Sequence, residues 1–395
     1  MAIKFPIYLD YNSTTPVDPE VLEEMLPYFN EKFGNPSSKT HRFGWEASYA
    51  VEVGRDRIAK LINAQPKEII FTSGSTESIN LAIKGIADSY GKKGNHIITT
   101  PIEHNAVIDT CGCLENMGFK VDIVNVDEYG VIDMNHLNDL ITDKTILVSI
   151  LFANNEIGTI QPIKEISKLV HSKNDVFFHV DASQAAGKIP VDVQDMDIDI
   201  MSMTSHKIYG PKGVGGLFVK DKNPKIRISE QISGGGHESG MRSGTLNVPG
   251  IVGFGKACEV CMNVMEEENA RLIKMREHLT KELTEGLELC YLNGHPVHRL
   301  PGNANLCFEA VEASHLFGTI DEIAFSSGSA CSSSKMKASH VLKALGRTDD
   351  QAKSSIRFGI GRWNTEEEID YTINRVKEVV NSIREKSPVW EMMSK

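Results

Sequence analysis

The chain has 395 residues, a net charge of −11, 41% hydrophobic residues and 24% charged residues. This length exceeds what one hydrophobic core ordinarily serves, so we expect a folded protein of two domains. The acidic balance and the lack of a Lys/Arg cluster argue against nucleic acid or a membrane surface as a partner, and no apolar run is long enough to cross a bilayer.

The seven cysteines are odd in number and unevenly spread, which is typical of reduced thiols rather than a disulfide framework. Cys258 and Cys261 have the spacing of a metal-binding pair, but no second pair matches them and their stretch predicts a helix. We therefore expect no metal site. Because residues 1–10 lack the pattern of a secretion signal, we expect a cytoplasmic protein.

The first elements in chain order are a strand, a helix and a shaped loop. Residues 9–16 predict a short strand that runs into a polar turn, and residues 21–29 predict a helix. Residues 33–38 read Phe-Gly-Asn-Pro-Ser-Ser, and their Gly, Asn and Pro favour a loop of fixed shape.

The middle of the chain alternates short apolar runs with stretches of helical periodicity. The runs cover residues 68–71, 96–99, 121–126, 146–151, 176–180, 198–203 and 216–219. Strands that alternate with helices predict βαβ units and a mainly parallel sheet with helices on both faces. In such sheets, ligands bind at the carboxyl ends of the strands.

The last third of the chain has a different pattern. Leucines and a methionine recur at three- and four-residue spacing over residues 272–287, which predicts a long amphipathic helix. Short strands near 305–308 and 355–358 and a helix from 365 to about 386 follow. We predict a large domain of residues 15–260 and a small α+β domain of residues 1–14 and 261–395.

Lys207 is the most informative candidate for chemistry. It follows a buried apolar run and opens a turn that contains Gly210, Pro211 and Gly213. A lysine amine becomes a nucleophile or Schiff-base partner only when its surroundings fix it and depress its basicity. Without an acid, phosphate ligands and a ring-packing group nearby, Lys207 would be an ordinary loop lysine.

Other strand ends supply those groups. Gly74, Ser75 and Thr76 begin a helix, where free amides and a hydroxyl can bind phosphate, although a plain helix cap is the simpler alternative. His104 could stack on an aromatic ring, although a lone loop histidine usually does not. Asp181 follows an apolar run, so its carboxylate needs a partner, and a protonated ring nitrogen would be one. Together these residues predict a site for pyridoxal 5′-phosphate.

Motifs along nearly the whole chain carry a resemblance to one family. They are Tyr8-Leu9-Asp10-Tyr11, Thr14-Thr15-Pro16, residues 33–38, Phe71-Thr72-Ser73-Gly74, Asn154-Asn155-Glu156-Ile157-Gly158, His179-Val180-Asp181-Ala182, Ser205-His206-Lys207, residues 240–245 and Ser326-Ser327-Gly328-Ser329-Ala330-Cys331. With these motifs the chain resembles the cysteine desulfurases of the IscS and NifS branch. They belong to the class V aminotransferase group of fold-type I transferases, which depend on pyridoxal phosphate.

The resemblance implies a role for each candidate residue. Lys207 would hold the cofactor, Asp181 would pair with the pyridine nitrogen, Gln184 would contact the ring hydroxyl and His104 would stack on the ring. Phosphate contacts would come from Thr76, Thr204 and His206 beside Gly74 and Ser75. Thr245 would reach the phosphate of a neighbouring subunit, which implies a homodimer with shared active sites. Asn155 and Arg357 would hold the substrate carboxylate, for which a guanidinium has suitable bidentate geometry.

Cys331 would be the nucleophile, in Ser- and Gly-rich sequence that favours an exposed loop. The implied reaction takes sulfur from L-cysteine, leaves L-alanine and forms a persulfide on Cys331 for delivery to an acceptor such as an iron–sulfur scaffold protein. Two alternatives remain: a cysteine or selenocysteine lyase that releases free sulfide or selenide, and a non-catalytic sulfur carrier. Ser75, Ile79 and Ala338 depart from residues common in the branch. The longer tail of housekeeping members is absent after Lys395, so the sulfur acceptor and its docking stay open.

Overall fold

The computed structural model describes residues 3–173, 175–327 and 338–393. Its strands are β1 Ile7–Tyr8, β2 Ile69–Thr72, β3 His96–Thr99, β4 Lys120–Ile123, β5 Thr145–Leu151, β6 Phe177–Asp181, β7 Ile200–Thr204, β8 Gly215–Val219, β9 Cys290–Asn293, β10 Asn303–Phe308, β11 Ile323–Ala324 and β12 Ser355–Gly359. Its α-helices are α1 Pro19–Met25, α2 Pro27–Asn30, α3 Arg42–Leu61, α4 Ser75–Tyr90, α5 Asn105–Glu115, α6 Met134–Leu140, α7 Ile163–His171, α8 Val248–Gly286, α9 Ala313–Thr319, α10 His340–Ala344, α11 Asp349–Lys353, α12 Glu366–Arg384 and α13 Pro388–Met393.

The centre of the fold is a seven-stranded sheet in the order β2-β8-β7-β6-β5-β3-β4. Only β8 runs antiparallel to its neighbours, β2 and β7, and the remaining pairs are parallel. All seven predicted strands are present, with boundaries displaced by no more than three residues. The mainly parallel sheet predicted from the sequence is therefore confirmed.

Both faces of this sheet are covered. Successive residues of a strand belong to different hydrophobic clusters. Ile98 clusters with residues of α3 and α8, whereas Ile97 clusters with residues of α4 and α5. This alternation follows from the two-residue period of a strand. Almost every strand residue is buried except in the edge strand β4, which explains why the other strands read as continuous apolar runs.

Two helices differ from the prediction. Residues 21–29 form the end of α1 and most of α2 rather than one helix, because Pro27 has no backbone N–H to continue the hydrogen-bond ladder. The amphipathic helix predicted over 272–287 is α8, which is 39 residues long and begins at Val248. Its first part is buried nearly all round, so it lacks the one-sided periodicity that marks an amphipathic helix.

A second body of structure surrounds the three-stranded antiparallel sheet β12-β10-β9. Its hydrophobic cluster combines Ile7 and Leu9 with the later part of α8, strands β10 and β12, and α12. The N-terminal strand β1 pairs in parallel with β11, so the first residues of the chain pack with its last third. We keep the division into residues 15–260 and residues 1–14 with 261–395 as a prediction, and α8 runs through that boundary.

Several short elements have no counterpart in the prediction, among them β9, β11, α9, α10, α11 and α13. None of these exceeds seven residues, which is too short for a periodic pattern to identify them. Within the described ranges, no helix has both the length and the apolar character that crossing a membrane requires.

Candidate active site

A cavity of about 930 Å³ lies at the carboxyl ends of the parallel strands. Eleven of the predicted site residues line it together: Gly74, Ser75, Thr76, His104, Asn155, Asp181, Gln184, Thr204, His206, Lys207 and Arg357. Thr245 is exposed and does not line this cavity. Cys331 lies outside the described residues.

Lys207 ends a short 3-10 turn that directly follows β7. Its Nζ donates hydrogen bonds to the backbone oxygens of Asn12, at 2.8 Å, and Ser13, at 2.5 Å. Burial and, second, the nearby positive charge of Arg357 lower the pKa of this amine from 10.5 to about 8. An appreciable fraction of Lys207 is therefore neutral and nucleophilic near neutral pH.

Asp181 is the last residue of β6, and only 6% of its surface is exposed. Its Oδ1 accepts hydrogen bonds from the backbone N–H of Ser183, at 2.9 Å, and from the Ser183 hydroxyl. The Ser183 hydroxyl also contacts that of Ser75, so the carboxylate is tied to the start of α4. The turn after β6 therefore fixes Asp181 at the cavity wall.

The N-terminus of α4 is open to a ligand. Gly74 occupies the cap position with a φ of 151°, and no side chain caps the helix. Thr76 is the second residue of the helix, and its side chain does not cap it. A Cβ on the neighbouring Gly215 would lie 2.7 Å from the Gly74 Cα, so these two segments can approach this closely only because Gly215 lacks a side chain. The free N–H groups and helix dipole suit an anion such as phosphate.

Thr204 is the last residue of β7, and His206 lies in the turn that follows; both line the cavity. The Nδ1 of His206 is 3.1 Å from the hydroxyl of Thr14. Burial and the positive charge of Lys207 lower the pKa of His206 to about 4, so its imidazole is neutral at pH 7. A neutral imidazole can still donate one hydrogen bond to a phosphate oxygen.

His104 and Gln184 are both held by backbone groups. His104 caps α5, where its Nδ1 accepts a hydrogen bond of 3.1 Å from the N–H of Ala106. Gln184 donates from Nε2 to the backbone oxygen of Asn12 at 2.8 Å. Each side chain thus has a fixed orientation where it lines the cavity.

Arg357 comes from β12 and lines the same cavity. It donates from Nη1 to the backbone oxygen of Asn155 at 3.1 Å, and from Nη2 to Asp10 Oδ1 at 2.7 Å and Ser13 Oγ at 2.6 Å. Its buried Nε has no partner among the described residues. A guanidinium has five N–H donors, so the Nε–H and one Nη1–H have no partner in the described part of the chain.

Two parts of the site were missed by reasoning from the sequence. Asn12 and Ser13, in the polar turn after β1, accept the hydrogen bonds of Lys207. Glu103 lines the cavity with its carboxyl fully buried: Oε1 accepts from Thr100 Oγ1 and Leu151 N, whereas Oε2 has no partner in the described part of the chain. Burial raises the pKa of Glu103 to about 8. The sequence could have indicated both parts, because Asn12 and Ser13 lie between two of the family motifs and Glu103 directly precedes His104.

Comparisons with known proteins place this geometry in a family. The model of the class-V aminotransferases matches residues 7–372. The cysteine desulfurase IscS of Anaeromyxobacter sp. is 51% identical over 391 residues, which cover 99% of this chain and 96% of that protein. A solved NifS-like protein superposes with a TM-score of 0.89 at 39% identity, over 95% of this chain and 99% of that one. A structure described as SspA in complex with cysteine has a TM-score of 0.81 at 35% identity, over 91% and 100% of the two chains.

The fold and the match over most of the chain define a class-V aminotransferase. Within that class, the chain belongs to the cysteine desulfurases of the IscS and NifS type. The expected fold-type I architecture is thereby confirmed. Membership of this family implies pyridoxal 5′-phosphate as the cofactor, cysteine as the substrate and a protein that accepts sulfur.

Proposed function

We propose that this chain binds pyridoxal 5′-phosphate in the cavity at the strand ends and uses it to take sulfur from L-cysteine. The chemistry of the lining residues supports this: an amine of low pKa on Lys207, a buried acid on Asp181 and an uncapped helix start at Gly74 surround one space. When bound, the cofactor serves as an electron sink through its protonated ring.

Different lining residues bind different parts of the cofactor. Asp181 pairs with the ring nitrogen, and Gln184 donates to the ring hydroxyl. His104 packs on the ring face and is, with Lys207 and Cys331, one of the three catalytic residues of the proposal. The N–H groups of Ser75 and Thr76 bind the phosphate, together with the side chains of Thr76, Thr204 and His206.

Lys207 and Arg357 act on the substrate. The guanidinium of Arg357 binds the cysteine carboxylate, with the Asn155 side chain beside it. Lys207 would hold the cofactor, and its Nζ would remove the proton from the substrate α-carbon. Its pKa of about 8 suits this role, because proton transfer is most effective when the base titrates near the working pH.

Sulfur transfer is assigned to Cys331. Its thiolate attacks the substrate sulfur, so that a sulfur–sulfur bond forms as the carbon–sulfur bond breaks. The electrons of the broken bond stay with the carbon fragment, which is protonated and leaves as L-alanine. The product on the protein is a Cys331 persulfide, which passes its outer sulfur to an acceptor such as an iron–sulfur scaffold protein.

We further propose a homodimer in which Thr245 contacts the phosphate bound by the neighbouring subunit. Thr245 is exposed, and its neighbour Gly244 is tied through His237 to Ser37 in the loop of residues 33–38. In that loop and in the residues that follow it, the side chains of Phe33, Phe43, Trp45 and Tyr49 are between 49% and 73% exposed. Such an apolar patch suits contact with a second copy. Light scattering that shows a monomer at working concentration would contradict the shared site.

A cytoplasmic location is part of the proposal. The six cysteines in the described ranges are free thiols, and five of them are buried. This usage suits a reducing compartment.

The observation that carries the proposal is the joint presence of Lys207, Asp181 and Arg357 on one cavity. The test compares alanine formation from L-cysteine by wild type and by Cys331→Ala, each loaded with pyridoxal phosphate. Alanine from wild type alone supports a desulfurase. Equal rates in both would identify the alternative, a lyase that releases sulfide, and a wild type that takes up no cofactor would favour the non-catalytic carrier.

A further inference from the structure

Lys188 contacts the cofactor cavity only through another residue. Its Nζ donates a hydrogen bond of 2.9 Å to Oε1 of Gln184, and Gln184 lines the cavity whereas Lys188 does not. In the described part of the chain, the Lys188 amine has Gln184 as its hydrogen-bond partner and no hydrogen-bonded carboxylate. This lysine therefore makes a specific contact with Gln184 instead of the salt bridge that a partly buried lysine usually makes.

The contacts of Gln184 determine which way its amide points. Oε1 faces donors, Lys188 Nζ at 2.9 Å and Asn12 Nδ2 at 3.4 Å, and Nε2 faces an acceptor, the Asn12 backbone oxygen at 2.8 Å. If the amide were turned over, its N–H groups would face the Lys188 amine and its oxygen would face a carbonyl oxygen. The contact between two oxygens is unfavourable, and the charged amine of Lys188 cannot accept a hydrogen bond from the amide, so Lys188 and Asn12 together favour one orientation.

We propose that Lys188 is a positioning residue that fixes the Gln184 amide with its N–H groups toward the cofactor. An amide nitrogen carries two hydrogens, and Asn12 accepts one of them. The second hydrogen is available for a hydrogen bond to an oxygen of a ligand in the cavity. This inference rests on the proposed function, since it takes the ligand to be pyridoxal 5′-phosphate.

The same contacts link Lys188 to Lys207. The Asn12 backbone oxygen that accepts from Gln184 also accepts from Lys207 Nζ at 2.8 Å. Turning the Gln184 amide over would bring its oxygen toward this carbonyl and disturb the acceptor that orients Lys207. Burial and the charge of Lys207 lower the pKa of Lys188 to about 7, and a lysine amine can donate to Gln184 whether or not it is charged.

The test is a double-mutant cycle on the apoprotein, with the equilibrium dissociation constant for pyridoxal 5′-phosphate as the readout. Lys188→Met keeps most of the volume but removes the donor, and Gln184→Leu removes the amide. We expect Lys188→Met to weaken binding roughly three- to tenfold, the effect of about one neutral hydrogen bond. In the Gln184→Leu background, the same substitution should change binding less than about twofold, because Lys188 acts through that amide.

Two further variants control the result. Lys188→Arg, which keeps a donor, should recover most of the wild-type affinity, and Lys164→Met, which removes a lysine paired with Asp195 away from the cavity, should have no effect. If Lys188→Met does not fold, Lys188→Ala takes its place in the cycle with the same expectation. Equal losses of affinity in both backgrounds, or no loss in either, would overturn the positioning role. Failure of the wild type itself to bind the cofactor would instead refute the proposed function.

Discussion

The guanidinium of Arg357 lies 2.7 Å from the carboxylate of Asp10, although 347 residues separate these side chains in sequence. Asp10 follows β1, and it forms an isolated bridge with Gly359 at the end of the strand that carries Arg357. The pairing of the first strand with the last third of the chain thus orients the side chain that we assign to the substrate carboxylate. Since Asp10 and Ser13 occupy Nη2, the remaining donors of Arg357 have a defined direction.

Arg357→Lys should raise the KM for L-cysteine with a smaller change in kcat. A lysine keeps the charge but lacks the planar guanidinium, whose several donors can hold Asp10 and bind a ligand carboxylate at the same time. Loss of a charge-assisted hydrogen bond costs about 1.5–3 kcal/mol, so we expect KM to rise roughly 10- to 150-fold. The matched control is Arg375→Lys, which changes an arginine on α12 that is paired with Glu322. This substitution should leave the KM for L-cysteine unchanged. An unchanged KM would remove Arg357 from the substrate site.

The uptake of cofactor by the apoprotein should depend on pH through Lys207. Only the neutral amine reacts with an aldehyde, and burial with the charge of Arg357 lowers the pKa of Lys207 to about 8. The rate of uptake, followed by visible absorbance, should rise with pH and level off above about 8. A rate that keeps rising through pH 10 would mean that the amine has the basicity of an ordinary exposed lysine.

Because Glu103 is buried, the free energy of unfolding should fall as the pH rises. Burial raises its pKa in the folded protein from 4.5 to about 8, so between these values the folded state binds more protons than the unfolded state. The free energy of unfolding therefore decreases with increasing pH over this range, by up to roughly 1.4 kcal/mol per pH unit. Below about pH 4.5 the carboxyl is protonated in both states and contributes no slope.

Glu103→Gln removes this titration while keeping the shape of the side chain. The difference in Tm between the variant and wild type should therefore shift in favour of the variant from pH 6 to pH 9. Glu128→Gln, which changes an exposed glutamate, is the control. A difference that does not vary with pH would show that Glu103 titrates in its ordinary range.

The sequence predicts best those parts of the fold and the site that depend on residues close to one another along the chain. Asp181 and Lys207 each follow an apolar run, and the rule that polar residues at parallel strand ends meet at one edge of the sheet brings them together. The Asp10–Arg357 pair and the Lys188–Gln184 contact could not be predicted in this way. The first depends on the pairing of β1 with β11 across more than 300 residues, and the second on how one side chain turns toward its neighbour. Neither leaves a periodic signal in the sequence.

The most direct test of the account is to locate the sulfur after turnover. The holoenzyme is treated with L-cysteine labelled with sulfur-35, without reductant, and the peptides are separated and analysed by mass spectrometry. We predict one additional sulfur atom on the peptide that contains Cys331, released by a thiol reductant, and alanine in equal amount. Alanine with all of the label in solution as sulfide, and an unmodified Cys331, would contradict the persulfide mechanism.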